Sequence, residues 1–417
     1  MRDENVFGVA QAIAFTVLRR GASLSSSGVR YSQLRGRREH KLEALATLPA
    51  SAYITLARST GDALFVPSET APEEYARFLP LDELFAWHSI ASKPGDDGVL
   101  VAFARQELVP QMSAFRAAAR RDAPLARTEA GRRLRDFEGE LDTAHVVPYA
   151  YRPFDTRFVY DNPQLWTRPV RRLRARIDGQ PMLLATRFAH DASFAHVFST
   201  QLMPDVIFLS NKSSVNSFAF PLLALRVASA SAALGMAVGQ RDFFSYLYAV
   251  LHAPGYRLRY GPGLASAFPR VPLTRDGVLF RALADAGEQL LALHLGEPAT
   301  ATLPRPRLVA GADRRVDRAV VALQRPKSDG EGGLRVAIND ASYFEGVPQA
   351  AWEFRVGGHQ VCHKWLLDRA RAGRELDVAE ATRYGEMVCA VTMTLRVMGD
   401  IDRCIDAGGG FPGAFVS

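Results

Sequence analysis

The sequence lacks the motifs that mark several large enzyme classes. No G-x-x-x-x-G-K-[ST] segment is present, which argues against a P-loop nucleotide site. The glycines of YGPGLAS, residues 260–266, lack the strand–turn–helix context of a dinucleotide-binding loop. Neither HExxH nor G-x-S-x-G occurs, so zinc-protease and nucleophile-elbow signatures are missing as well. We therefore predict that this chain carries no catalytic site of its own.

Cysteine is scarce, and long apolar segments are few. Cys362, Cys389 and Cys404 show neither a CxxC pair nor metal-ligand spacing, which favours a reduced, cytoplasmic setting. The apolar run at residues 5–18 is too short to span a bilayer. Acids precede it and arginines follow it, which reverses the charge order of a signal peptide. We expect this run to form a buried strand or hairpin.

Lysine is the minor basic residue. Arginine dominates the 51 lysines and arginines, and the formal net charge is +7. Such a balance favours an anionic partner, nucleic acid first, because guanidinium groups contact phosphate and guanine bidentately. A GC-rich genome, which favours arginine codons everywhere, is the alternative explanation for the arginine bias.

Apolar periodicity predicts an α+β fold. Helical spacing appears at residues 38–48, 103–143, 281–294 and 375–406. Strand character appears in PMLLATRF, VIFLS and RLVAG. The charged helical stretch suits a connector between two apolar regions. The predicted segments are therefore 1–100, a helical connector at 101–145, and a larger mixed-sheet domain at 146–417.

Residues 149–176 interleave aromatic residues, prolines and arginines. The aromatic residues and prolines predict a rigid surface rather than a flexible basic tail. The arginines of its second half spread over several helix faces, so two or three of them are expected to meet phosphates; they are Arg168, Arg171, Arg172, Arg174 and Arg176. In its first half, Arg152 and Asp155 are expected to form a structural pair at a turn.

Two further segments have possible binding roles. Lys212, Ser213, Ser214 and Asn216 of the polar loop SNKSSVNSFAFPL can hydrogen-bond phosphate or base edges, and a plain solvent loop is the alternative. DNPQLW, residues 161–166, is similar to the catalytic loop of adenine methyltransferases, but Gln164 stands in place of the second proline. We interpret it as non-catalytic.

Histidine spacing gives one candidate metal pair. His359 and His363 are four residues apart, as ligands on one helix would be, but no third ligand is near in sequence. The structural interpretation is therefore favoured, and no metal site is predicted. His190 and His196 are the other histidines considered for titration near neutral pH.

Two blocks more than 200 residues apart resemble type ISP restriction-modification enzymes. PYAYRPFDTRFVYDN is similar to the start of their target-recognition domain. The second block, WEFRVGGHQVCHKWLLDR, shares with the family Phe354, Arg355, Val356, Gly357, Gly358, Lys364, Trp365, Leu366, Asp368 and Arg369. NVFGVAQAIAFTVLRR resembles late strands of the family's adenine methyltransferase domain, which suggests remnant strands of a class I methyltransferase sheet in residues 1–100.

The resemblance implies a DNA target-recognition module that acts with catalytic domains outside this chain. S-adenosylmethionine is expected only in a partner chain or in a full-length protein, and no cofactor is expected here. The implied partner is double-stranded DNA, possibly with a methyltransferase or motor chain. The predicted contacts with DNA are Arg168, Arg171, Arg172 and Lys212, with Tyr151 and Trp166 as possible contacts to the shape of the duplex.

Two alternatives remain open from the sequence. The chain can be a subunit of a split adenine methyltransferase that completes its fold with a partner. It can also be the remnant of a truncated gene, since an apolar strand pair with no partner leaves an exposed edge.

Overall fold

A computed structural model describes residues 3–7, 16–17, 29–56, 71–189, 193–212, 214–297, 304–311, 313–330 and 332–415. The chain divides into two compact units, Met1–Thr70 and Ala71–Ser417. The strand or hairpin predicted at residues 5–18 falls mostly outside the described residues. No helix within the described ranges is long and apolar enough to cross a membrane.

The described residues of the first unit include a two-stranded antiparallel sheet and one α-helix. Strand β1 (Val29–Tyr31) pairs with β2 (Ile54–Leu56), and helix α1 (Arg38–Thr47) lies between them in sequence. The helix predicted from the leucine spacing is therefore confirmed.

Sixteen further strands are found in the described part of the second unit. They are β3 (Leu79–Pro80), β4 (Ser89–Ile90), β5 (Val101–Ala102), β6 (Val146–Arg152), β7 (Asp155–Tyr160), β8 (Met182–Thr186), β9 (Val197–Thr200), β10 (Met203–Pro204), β11 (Ser217–Pro221), β12 (Arg270–Val271), β13 (Arg307–Val309), β14 (Lys327–Ser328), β15 (Leu334–Ala337), β16 (Tyr343–Val347), β17 (Arg355–Val356) and β18 (His359–Gln360).

Fifteen α-helices accompany them in the same described ranges. They are α2 (Leu81–Leu84), α3 (Asp97–Leu100), α4 (Arg105–Arg121), α5 (Glu129–Asp136), α6 (Arg171–Arg174), α7 (Ala228–Leu234), α8 (Gln240–His252), α9 (Pro254–Arg259), α10 (Gly261–Leu264), α11 (Gly277–Leu295), α12 (Arg318–Ala322), α13 (Gln349–Glu353), α14 (Val361–Arg371), α15 (Val378–Ala407) and α16 (Gly410–Gly413). The predicted mixed α+β fold is confirmed.

Three small four-stranded sheets organise this unit, in the orders β10-β6-β7-β5, β4-β11-β8-β9 and β13-β16-β15-β14. All of their neighbouring strands are antiparallel except β10 and β6. PMLLATRF and RLVAG supply β8 and β13, as predicted. VIFLS was wrongly predicted as a strand. The Asp205 side chain accepts a hydrogen bond from the Ile207 amide at 2.8 Å, which turns the chain there.

The long helices pack mainly against one another. Helix α11 packs against α8 and α15, and its first amides are capped by the Asp276 carboxylate. Asp377 caps α15 in the same way. The helices predicted at 281–294 and 375–406 are thus confirmed, as is helical structure within 103–143. Two hydrophobic cores result, one around β6, β7 and α14 and the other around α8 and α11.

Candidate nucleic-acid interface

The hairpin β6–β7 and helix α14 meet in a buried network of ion pairs. Asp155 Oδ1 accepts a hydrogen bond from Arg369 Nη2 at 3.1 Å, and Asp155 Oδ2 accepts one from Arg157 Nη2 at 2.9 Å. Arg157 also donates to Asp368 Oδ2 at 3.2 Å. Burial raises the pKa of Asp155, but Arg157 and Arg369 outweigh burial and hold that pKa below its ordinary value. The network fixes the hairpin that precedes the arginine-rich segment.

Arg152 is buried beside this network but does not pair with Asp155, so the predicted mutual pair is wrong. Its guanidinium lies 3.6 Å from Asp205 and 3.8 Å from Asp97. Asp155 is occupied by Arg157 and Arg369 instead. Both residues nevertheless have the structural role that was predicted. Burial raises the pKa of Asp205 to about 6 even though Arg152 opposes the shift.

Tyr151 and Trp166, predicted as shape contacts to DNA, lie in the core. Trp166 is 1% exposed, and its indole N–H donates to the Tyr160 carbonyl at 2.7 Å. Tyr151 is 7% exposed, and the guanidinium carbons of Arg152 and Arg157 lie 3.9 and 3.7 Å from its ring centre. Neither side chain offers the surface that a contact with a duplex requires, so we leave both out of the candidate interface.

The predicted arginines lie on an exposed segment anchored by buried Leu173. Arg174 Nη2 lies 2.7 Å from Asp161 Oδ2, which neutralises that arginine. The other four are exposed, and no ion pair joins them to a carboxylate of the described residues; they are Arg168, Arg171, Arg172 and Arg176. Their contacts with phosphate stay a prediction.

Val170, immediately before α6, has a strained backbone. Its φ of 41° lies in the left-handed region, which a β-branched residue rarely adopts. The side chain packs against the first core, which compensates for the strain. This conformation sets the direction in which α6 leaves the preceding loop.

A lysine that the sequence did not single out lies beside this segment. Lys93 and Arg168 exchange both backbone hydrogen bonds, at 3.0 and 2.9 Å, as an isolated antiparallel bridge. Directly opposed residues of an antiparallel pair project to the same face, and like charges there are destabilising. Both side chains are exposed. The fold thus places two cations side by side on one surface.

Trp87 is a second residue that the sequence did not indicate. The guanidinium carbons of Arg172 and Arg176 lie 5.1 and 4.9 Å from its ring centre. The indole is partly buried and packs against both hydrophobic cores. The nearby His88 ring stacks on Phe220 at 4.9 Å between ring centres. We define the Trp87 surface as Trp87, Lys93, Arg168, Arg171, Arg172 and Arg176.

Lys212 lies in an exposed turn of the loop before β11. The Val215 amide donates to the Lys212 carbonyl at 3.2 Å, and Val215 itself is buried. Gly358 holds the start of this loop by donating to the Leu209 carbonyl at 2.8 Å. The loop is thus anchored on the core as predicted, while Ser213 falls outside the described residues.

The remaining predicted polar residues have structural contacts. His359 lies on β18 and His363 on α14, so they do not share one helix as the spacing suggested. Their rings contact the carbonyls of Ile207 at 3.3 Å and Val321 at 2.9 Å. Asn162 accepts from the Gln164 amide at 2.9 Å, which closes the DNPQ turn.

Among the described residues, no group of three or more His, Cys, Asp or Glu side chains could hold a metal ion. His196 is buried, and His190 lies outside the described residues.

Residues 83–398 match the family described as the Type ISP C-terminal specificity domain. The chain belongs to this family. The match includes both family-like blocks, and the ion-pair network joins them in space. No curated protein sequence gives a significant match.

Several solved structures have a similar fold to this specificity domain. A nuclease-deletion mutant of the Type ISP restriction-modification enzyme LlaGI, in complex with a DNA substrate mimic, is 15% identical with a TM-score of 0.61, and the match covers 91% of this chain and 33% of that one. The DrdV–DNA complex is 19% identical, with a TM-score of 0.65 and coverages of 90% and 43%. The ATP-dependent Type ISP enzyme LlaBIII bound to DNA is 16% identical, with a TM-score of 0.64 and coverages of 90% and 27%. The chain thus spans less than half the length of these proteins.

Proposed function

We propose that this chain is a sequence-specific DNA target-recognition module of a type ISP-like restriction-modification system. It positions duplex DNA for adenine methylation or cleavage by catalytic domains outside the chain. Membership of the specificity-domain family supports this proposal, and so do the DNA complexes of proteins with the same fold.

The observation that carries the proposal is the concentration of unneutralised cations on the Trp87 surface. Five exposed basic side chains lie on α6, in the turn that follows it and on the bridge beside it: Lys93, Arg168, Arg171, Arg172 and Arg176. No carboxylate of the described residues pairs with them, although Arg174 within the same helix is paired. Crowded like charges destabilise a fold unless a polyanion neutralises them. Duplex DNA supplies that polyanion.

Different residues of the module have different roles in binding. Cations on the Trp87 surface bind phosphates and fix the register of the duplex, which carries no sequence information by itself. Lys212, in its anchored loop, remains a candidate for a further phosphate or base contact. A methyltransferase must extrude its target base, so the recognition module has to hold the duplex while pairing is lost.

The proposed setting is the cytoplasm, and S-adenosylmethionine binds elsewhere in the system. All three cysteines are unpaired, which supports a reducing compartment. Calorimetry of the chain with S-adenosylmethionine is expected to give no binding heat. Clear binding would instead favour a subunit of a split adenine methyltransferase.

The experiment that tests the function is a selection from a random duplex pool. The chain is incubated with the pool over a salt series, and bound DNA is sequenced. We expect binding that weakens linearly with the logarithm of salt concentration, together with enrichment of one sequence. Salt-dependent binding without enrichment would contradict sequence recognition, and no binding at low salt would contradict the whole proposal.

A further inference from the structure

We propose that Trp87 is a positioning residue that holds Arg172 and Arg176 for contact with the phosphates of the DNA backbone. This inference rests on the proposed function and adds a residue with no charge and no obvious motif. Trp87 acts through the two arginines and does not touch DNA itself.

Trp87 forms a close cluster with Arg172 and Arg176. Both guanidinium groups lie close to one indole, at 5.1 and 4.9 Å from its centre. Arg172 lies on α6 and Arg176 in the turn that follows it, where the Arg176 amide donates to the Leu173 carbonyl at 3.0 Å, and this turn brings both side chains to the same ring. An indole attracts a guanidinium through its quadrupole, and tryptophan does so best among the aromatic residues. Trp87 therefore replaces the carboxylate partner that neither arginine has among the described residues.

The Trp87 ring is held rigidly. Trp87 packs against both hydrophobic cores, so its ring moves with the body of the unit. An exposed arginine loses considerable rotamer freedom when it binds a ligand. Stacking on a fixed ring removes part of that freedom beforehand and leaves the positive charge intact. A carboxylate partner would also fix the arginine but would cancel its charge, as Asp161 does for Arg174.

The position of the two guanidinium groups favours contact with phosphates over contact with base edges. An arginine that reads a base must extend into a groove and meet the base edge bidentately. Arg172 and Arg176 are held back against a partly buried ring, which favours contact with the outer backbone of a duplex. Phosphate contacts contribute to affinity for every sequence alike. The inference therefore predicts a loss of general affinity with unchanged sequence choice.

The test compares Trp87→Leu, which keeps apolar packing, with Trp87→Phe, which keeps an aromatic face. Binding to a random-sequence duplex pool is measured over a salt series, and thermal unfolding confirms that each variant is folded. We expect Trp87→Leu to bind about tenfold more weakly than the wild type. Trp87→Phe should recover most of that loss. The preferred sequence should be the same for all three proteins.

A double-mutant cycle separates positioning from direct contact. If Trp87 acts through the arginines, Trp87→Leu has no further effect in a chain that already carries Arg172→Ala and Arg176→Ala. Additive losses would overturn the inference, since they would mean that the indole contacts DNA. Equal binding by Trp87→Leu and the wild type would also overturn it and leave the proposed function intact. A wild-type chain that does not bind DNA would overturn both.

Discussion

Asp155 and Arg369, 214 residues apart in sequence, form a hydrogen-bonded ion pair of 3.1 Å with both side chains 4% exposed. The pair joins the hairpin β6–β7 to helix α14. Each partner comes from one of the two blocks that resemble the type ISP family. The contact explains why those blocks carry charged residues in a core, where an isolated charge would be costly.

Asp155→Ala is expected to destabilise the chain by about 3–5 kcal/mol, because it leaves Arg157 and Arg369 buried without their shared carboxylate. Chemical denaturation provides the free energy of unfolding. The matched control is Asp400→Ala, which removes an exposed partner of Arg403 and should cost less than about 1 kcal/mol. Equal losses for the two variants would contradict the structural role of the network.

Gly357→Ala is expected to cost more than about 3 kcal/mol, beyond the 1–2 kcal/mol typical of a left-handed conformation alone. Gly357 has a φ of 55°, and an added Cβ would lie 1.9 Å from the Leu209 carbonyl oxygen. Gly373→Ala is the control, since its φ is 63° but no atom lies within 4 Å of the added Cβ. A similar cost at both positions would show that close packing against the Lys212 loop is unimportant.

The stability of the chain should fall as pH drops below about 6.5. Burial lowers the pKa of His294 and of His359 to about 3, from an ordinary value of 6.5. The unfolded chain therefore takes up protons in this range that the folded chain excludes, so the free energy of unfolding decreases with falling pH.

Asp205 opposes this trend. Its pKa is raised from 3.8 to about 6, so the folded chain retains a proton between these values that the unfolded chain releases. Its contribution therefore weakens the fold as pH rises through that window. We expect Asp205→Asn to lose stability more steeply than the wild type between pH 6 and pH 4. Denaturation curves at several pH values measure how the free energy of unfolding changes with pH in both proteins. A shallower loss of stability in the variant would contradict the predicted direction of the Asp205 contribution.

Lys93→Gln should stabilise the free chain and weaken DNA binding. Removing one of two opposed cations relieves like-charge repulsion, which is worth about 0.2–1 kcal/mol across a strand pair. The substitution also removes one phosphate contact. The slope of the logarithm of the binding constant against the logarithm of salt concentration should therefore fall in magnitude by about one. Unfolding and binding assays on the same preparation measure both effects. A variant that is less stable and binds DNA normally would count against a functional role for the bridge.

Local signals in the sequence account for much of the secondary structure. Asp276 and Asp377 cap long helices that the apolar spacing predicted, and the turn predicted at Arg152 and Asp155 joins β6 to β7. The strand prediction for VIFLS was wrong because the Asp205 side chain accepts a hydrogen bond from the Ile207 amide. This local hydrogen bond turns the chain and overrides the β propensity of the segment.

The candidate interface was harder to predict, because its contacts are long-range. Four arginines of the predicted segment are exposed, whereas Tyr151 and Trp166 are core residues, and no local pattern distinguishes the two groups. Lys93 joins this surface through its backbone bridge to Arg168. Trp87 joins it through ring contacts with Arg172 and Arg176. Both residues lie more than 70 residues earlier in the chain than their partners. No periodicity in the sequence marks such contacts.

The measurement that tests the central claim most directly is the salt dependence of binding to a random duplex pool by a surface-neutralised chain. The variant replaces Lys93, Arg168, Arg171, Arg172 and Arg176 with glutamine. A charge-matched control replaces exposed cations on α12, α15 and nearby segments, namely Arg318, Arg325, Lys327, Arg383 and Arg396. We predict that the salt slope falls by roughly two to four in the variant and by less than about one in the control. Equal slopes for the two chains would show that the Trp87 surface is not where this protein binds DNA.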